Sequence, residues 1–183
     1  MTKIPEKYKY LLEAGVPSLI REAAKLYGTH EKSGSGNNPE ILAWAKEIER
    51  KIGVDLKYNA DSIPWCGLFV AIVAVRAGWH AQMTKAPLWA RNWSTFGQKS
   101  VKPSFGDILV FSRDGGGHVG FYVAEDSTCF HVLGGNQGDA VSIVRIEKSR
   151  LIAARRPAWR IAEPVSVRPI RMLATGEISK DES

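Results

Sequence analysis

Sulfur is scarce in this chain: two cysteines, Cys66 and Cys129, and three methionines among 183 residues. Two cysteines this far apart do not make a zinc ribbon or finger, whose ligands come in closely spaced pairs, so no metal is expected. A structural disulfide is not expected either, because the opening residues Met1 to Tyr10 lack the apolar core of a secretion signal. Long apolar runs are also missing. The longest, Leu68 to Ala77, contains Arg76 and falls well short of the ~20 residues that cross a bilayer. Neither a phosphate-cradling glycine loop nor an RNA-binding aromatic signature is present, and no segment repeats. The expectation is a protein made in the cytoplasm, with no cofactor, no nucleic-acid partner and no membrane insertion.

What is present is ordinary for a globular chain: 44% hydrophobic and 24% charged residues, enough for one sizeable core. The net charge of +6 draws the protein towards polyanions, and Arg145, Arg150, Arg155, Arg156 and Arg160 form a modest basic cluster. Residues 1–16 read as a loosely docked lead-in, 17–160 as the domain and 161–183 as a flexible tail. Leu19, Ala23, Leu26 and Tyr27 recur at helical spacing after Pro17-Ser18, and Gly28 ends the run. The glycine- and asparagine-rich stretch Thr29 to Asn38 is a loop. Pro39 opens a second helix with Ile41, Trp44, Ala45, Ile48 and Ile52 on one face, and Gly53 closes it. From Val101 the period changes to that of strands at Ile108–Phe111, His118–Val123, Thr128–Leu133, Val141–Ile146 and Leu151–Arg155. Helices first and then an antiparallel meander of about five strands give an α+β fold.

The stretch Asp61-Ser-Ile-Pro-Trp-Cys-Gly-Leu-Phe-Val70 organises the rest. Pro64 suits the first turn of a helix, Ser62 or Asp61 can cap it, and Cys66 then lies where unpaired N–H groups favour an anion. A thiol there is expected to ionise more easily than a free cysteine. A thiolate needs a proton carrier, and His118, after three glycines at the start of a strand, is placed to be one. His30 and His80 read as surface residues, and His131 and Cys129 as packed. The second nitrogen of His118 needs a partner: Asn136 is the first choice and Asp139 the substitute. Asn136 also fits a purely structural role in the Gly-Gly-Asn-Gln-Gly turn. The backbone N–H of Cys66 would supply one oxyanion donor, with Ser62 or the Trp65 indole as the second donor or as a substrate contact. Trp89, Trp93 and Phe96 share one side of a short helix and either pack on the cysteine helix or line a groove.

Four blocks resemble, in order, those of CHAP/NlpC-like cysteine peptidases: Pro64-Trp-Cys-Gly-Leu-Phe-Val70, Phe105-Gly-Asp-Ile-Leu-Val-Phe111, Gly117-His-Val-Gly-Phe-Tyr122 and Val132-Leu-Gly-Gly-Asn-Gln137. The resemblance implies a papain-like fold and hydrolysis of an amide bond in bacterial peptidoglycan. By position it makes Cys66 the nucleophile, His118 the base and Asn136 the orienting residue. Trp65, Ser62, Trp89 and Gln137 are the candidate substrate contacts. Gly67 departs from it, since serine or alanine often follows the cysteine. It further implies a phage lysin or a contact-delivered antibacterial effector, reaching the periplasm or wall by a non-Sec route, with an immunity protein or a holin as companion. A protease or deamidase toxin acting on a protein, and a wall-binding module without activity, are the alternatives.

Overall fold

The computed structural model describes residues 3–34, 36–159, 162–180 and 182. Three α-helices precede the sheet: α1 (Ser18–Lys25), α2 (Pro39–Ile52) and α3 (Cys66–Arg76). The Asn38 side chain accepts the Glu40 N–H to cap α2, and Gly53 ends that helix with φ 70°. Leu68 to Ala74 of α3 are wholly buried, so this helix is the centre of the core rather than an amphipathic surface element.

Six strands follow: β1 (Gln98–Lys99), β2 (Ile108–Arg113), β3 (Gly116–Glu125), β4 (Cys129–Gly134), β5 (Ser142–Glu147) and β6 (Leu151–Arg156). The α+β architecture is the expected one, but the sheet order is β1-β6-β2-β3-β4-β5, not a plain meander. The last long strand returns to pair with β2, and the two-residue β1, too short to show a period, adds to its far side. Four strand spacings separate β5 from β6, which is ~19 Å in a flat sheet. The link from Glu147 to Leu151 reaches at most ~14 Å. The sheet must therefore curl, and the curl encloses a second core of Leu109, Phe111, Tyr122, Phe130, Val132, Ile146 and Ala154. The other face, with Val119, Phe121 and Val123 of β3, packs with the helices.

The described residues before α1 and after β6 are fastened to this body. The lead-in forms a 3-10 helix, Glu6–Leu12, that buries Tyr8 and Leu11. Tyr8 Oη lies 2.7 Å from His131 Nδ1, and His131 Nε2 lies 2.9 Å from Asp126 Oδ2. Arg145 Nε donates to the same oxygen at 2.7 Å. Burial opposes ionisation of Asp126, but Arg145, His131 and the Thr128 and Cys129 amides outweigh it and hold the carboxyl well below the usual range. The segment expected as a flexible tail is laid along the sheet. Ile170 O accepts the Glu125 N–H, Arg145 O accepts the Ser179 N–H, and Glu182 is buried against Arg150.

Candidate active site

The start of α3 differs from the expected capping. Trp65 is the N-cap residue and makes no side-chain cap, and Pro64 lies outside the helix. Asp61 serves the preceding loop instead, its Oδ2 accepting the backbone N–H groups of Asn38 at 2.7 Å and Lys32 at 3.0 Å. The first-turn amides of α3 are thus left for the Cys66 sulfur, which they and the Val119 N–H bias towards thiolate. Val119 directly follows His118, so the sulfur meets β3 at the start of the histidine strand. Burial is the larger influence, however, and pushes the Cys66 thiol up rather than down. The expected easily ionised thiol is not what this fold produces at rest, because burial of the sulfur outweighs what the first-turn amides contribute.

His118 is 1% exposed. Burial brings its pKa down to about 4, against the opposing influence of Glu182 and Gln137. Thiol and imidazole are therefore both neutral near pH 7. The partner of the ring is Gln137, whose Oε1 lies 3.0 Å from His118 Nε2. The amide cannot be turned the other way, because Gln137 Nε2 donates to Ser142 O at 2.6 Å and Val132 O at 3.3 Å. An amide oxygen only accepts, so His118 Nε2 carries the proton and Nδ1 keeps its lone pair.

Asn136, the expected orienting residue, is buried at the turn with φ 58°. That left-handed conformation, which asparagine tolerates better than most residues, matches its structural reading. Asp139, the substitute, is exposed and takes the same conformation at φ 57°. Gln137 reaches the histidine because Gly134 leaves the space open. A β-carbon on Gly134 would stand 2.6 Å from Gln137 Oε1 and 3.1 Å from His118 Nε2.

The other expected contacts separate. Trp65 is wholly buried and its indole N–H donates to Glu31 Oε1, so it neither meets a substrate nor serves as an oxyanion donor. Ser62 lines a polar depression with Glu31, Asp61 and Asp139, while Cys66 opens on another cleft. Trp93 and Phe96 are in the core, but Trp89 is 73% exposed and lines the Cys66 cleft, about 830 Å³ in volume.

Sequence reasoning missed how the 86–88 segment builds that cleft. It passes over the first turn of α3 so closely that a β-carbon on Gly67 would be 2.4 Å from both Pro87 O and Leu88 O. The Trp93 indole holds the segment by donating to Pro87 O at 2.8 Å. Glycine after the cysteine was the visible signal, and the close backbone crossing is its cause. Glu182 was missed as well, since nothing in a polar terminal stretch marks one carboxylate as buried beside Arg150.

No curated protein matches the chain. The CHAP domain family model matches residues 58–136, which take in the Cys66 helix, the His118 hairpin and the turn at Asn136. Over that stretch, less than half of its length, the chain is similar to the CHAP domain, and the match supports a CHAP-type cysteine peptidase or amidase family, hydrolases in general.

Proposed function

We propose that this protein hydrolyses an amide bond of bacterial peptidoglycan, with Cys66 as nucleophile, His118 as proton carrier and Gln137 as the residue that holds His118. The observation that carries the reading is the His118–Gln137 contact at 3.0 Å beside the β3 amide that faces the Cys66 sulfur. The oriented ring presents a basic Nδ1, suited to take the thiol proton as sulfur attacks the carbonyl carbon. The neutral resting pair makes this general-base attack rather than attack by a preformed ion pair. First-turn amides of α3 would stabilise the oxyanion. Collapse of the tetrahedral species transfers the proton from His118 to the leaving amine and leaves a thioester. Water, deprotonated by His118, then hydrolyses the thioester and regenerates the thiol.

The net charge of +6 supports a wall substrate, since the peptidoglycan mesh and its attached polymers are anionic. A lysin or a contact-delivered effector is the biological role this reading fits. Dye release from labelled sacculi tests it with Cys66→Ala and His118→Ala. Both variants should release dye at least ~10²-fold more slowly than the parent while keeping its far-UV spectrum. Release at the parent rate by both would remove the assignment.

A further inference from the structure

Strand β3 has an open edge beside Cys66. β2 pairs with it from Gly116 to Phe121, but β4 joins it only from Phe121, opposite Leu133. β4 ends at Gly134, and Gly135 packs against the start of α3, where a β-carbon would stand 2.5 Å from Phe69 Cβ and 2.7 Å from Trp65 Cζ3. From Gly116 to Gly120, β3 is therefore paired with a strand on one side only. Tyr122 shows which backbone groups face which way. Its N–H donates to Asp107 O at 2.8 Å and its O accepts the Gly106 N–H at 3.0 Å, both on the β2 side. These groups alternate along a strand, so Gly120, His118 and Gly116 face β2, while Val119 and Gly117 face the open edge. The Val119 N–H there meets the Cys66 sulfur. Gly117 is next along the same edge, about 7 Å away, and its N–H and C=O have no partner among the described residues.

Gly117 also lines the cleft that opens on Cys66, with Gly115 and Gly116 beside it, so no side chain of these three covers the edge. Arg91 lies over the face of Gly117 rather than its edge: a β-carbon, which stands out of the sheet plane, would be 2.9 Å from Arg91 Cγ. The Arg91 Nε and Nη2 donate to Gly116 O at 2.9 and 2.6 Å and fix the strand end. A fixed donor and acceptor on one bare residue, in line with the sulfur, is half of a ladder that an extended peptide completes.

We propose that the peptide part of the substrate lies extended along this edge and adds a short strand to β3, with the Gly117 N–H and C=O as the pair that holds it for attack. The proposal rests on Cys66 being the nucleophile. Main-chain pairing of this kind selects an extended peptide beside the scissile amide whatever its side chains.

The test reads the Gly117 amide directly. Cys66 is alkylated with acetyl-dialanyl chloromethyl ketone and, in a parallel sample, with chloroacetone, which leaves the same ketone on sulfur without the peptide. Backbone hydrogen exchange is then followed by NMR. In the free and the chloroacetone-labelled protein the Gly117 N–H should exchange fast and the His118 N–H, which faces Phe111 of β2, slowly. The peptide adduct should slow Gly117 at least ~10-fold and leave His118 as it was. Labelling rates give a second readout. An extended peptide turns one amide to the strand and the next away. N-methylation should therefore slow labelling of Cys66 by ~10-fold at one of the two alanines and by less than ~3-fold at the other. Equal Gly117 exchange in the two adducts, equal effects of the two N-methyl groups, or a Cys66 that the peptide reagent does not reach would overturn the proposal. Wall hydrolysis with unchanged Gly117 exchange removes this proposal alone. Gly117 protection without hydrolysis of peptidoglycan leaves the edge standing as a peptide site and removes the wall reading.

Discussion

Gln137 and Asn136 are neighbours with the same functional group and opposite duties. Gln137 spends its side chain on His118, Ser142 and Val132, while Asn136 supplies a left-handed backbone. Gln137→Ala should lower kcat on the order of 10²-fold with KM little changed, because the ring loses the contact that fixes its tautomer. Asn136→Gly, which keeps the φ, should change kcat less than ~3-fold; steady-state assays on one substrate compare the two. Gly134→Ala should resemble Gln137→Ala, since its β-carbon occupies the amide's place. Which amide reaches the ring depends on a turn's φ and on a missing side chain on the neighbouring strand. Neither is visible in the order of residues, although the choice of Cys66, His118 and this turn was.

His118 also links the fold to pH. Its pKa is about 4 in the folded protein and near the ordinary 6.5 when unfolded. The unfolded chain then binds the proton first as pH falls. The neutral-histidine contribution is fully present above pH ~6.5 and is lost on descending to about 4, by roughly 3 kcal/mol. Urea midpoints measured at pH 7.5 and 4.5 should therefore differ by less in His118→Gln than in the wild type.

At the scale of elements, the first turn of α3 is where sequence and structure part most informatively. Pro64, Cys66 and the apolar run announce a buried helix, and that helix is there. Its N-terminal amides do not make the thiol acidic, because burial of the sulfur pushes the thiol up by more than they bring it down. Local pattern carries the helix but not the desolvation, which depends on what packs over it. The segment at Pro87–Leu88 is part of that cover, and Gly67 is the residue that admits it. Gly67→Ala forces the crossing backbone to shift. It should cost about 1–3 kcal/mol in stability and slow hydrolysis, through displacement of the Trp89 wall, as read by denaturant titration and by kcat/KM on a small peptide.

On the scale of the whole molecule, helices followed by strands are enough to give the α+β class, but the return of β6 to β2 is a long-range choice that alternation alone does not encode. The same holds for the residues after β6. They read as polar and loose, yet Glu182 is buried, paired with Arg150 Nη1 at 2.8 Å and Nη2 at 2.7 Å, and its charge favours the protonated form of His118. Arg150 in turn donates to Ser112 O on the strand that pairs with β3. Glu182→Gln should leave that guanidinium poorly paired, cost roughly 3 kcal/mol in stability, and move the acid limb of the kcat/KM profile to lower pH.

On the proposed reading, Cys66 opens an amide bond in the bacterial wall. Mass spectrometry of fragments released from purified peptidoglycan, with wild type and Cys66→Ala side by side, tests it most directly. New amino and carboxyl ends in the wild-type digest alone are the predicted result, and they name the bond. Peptidoglycan from several species left unchanged by folded, reduced wild-type protein would contradict the claim and direct attention to a protein substrate or a binding role.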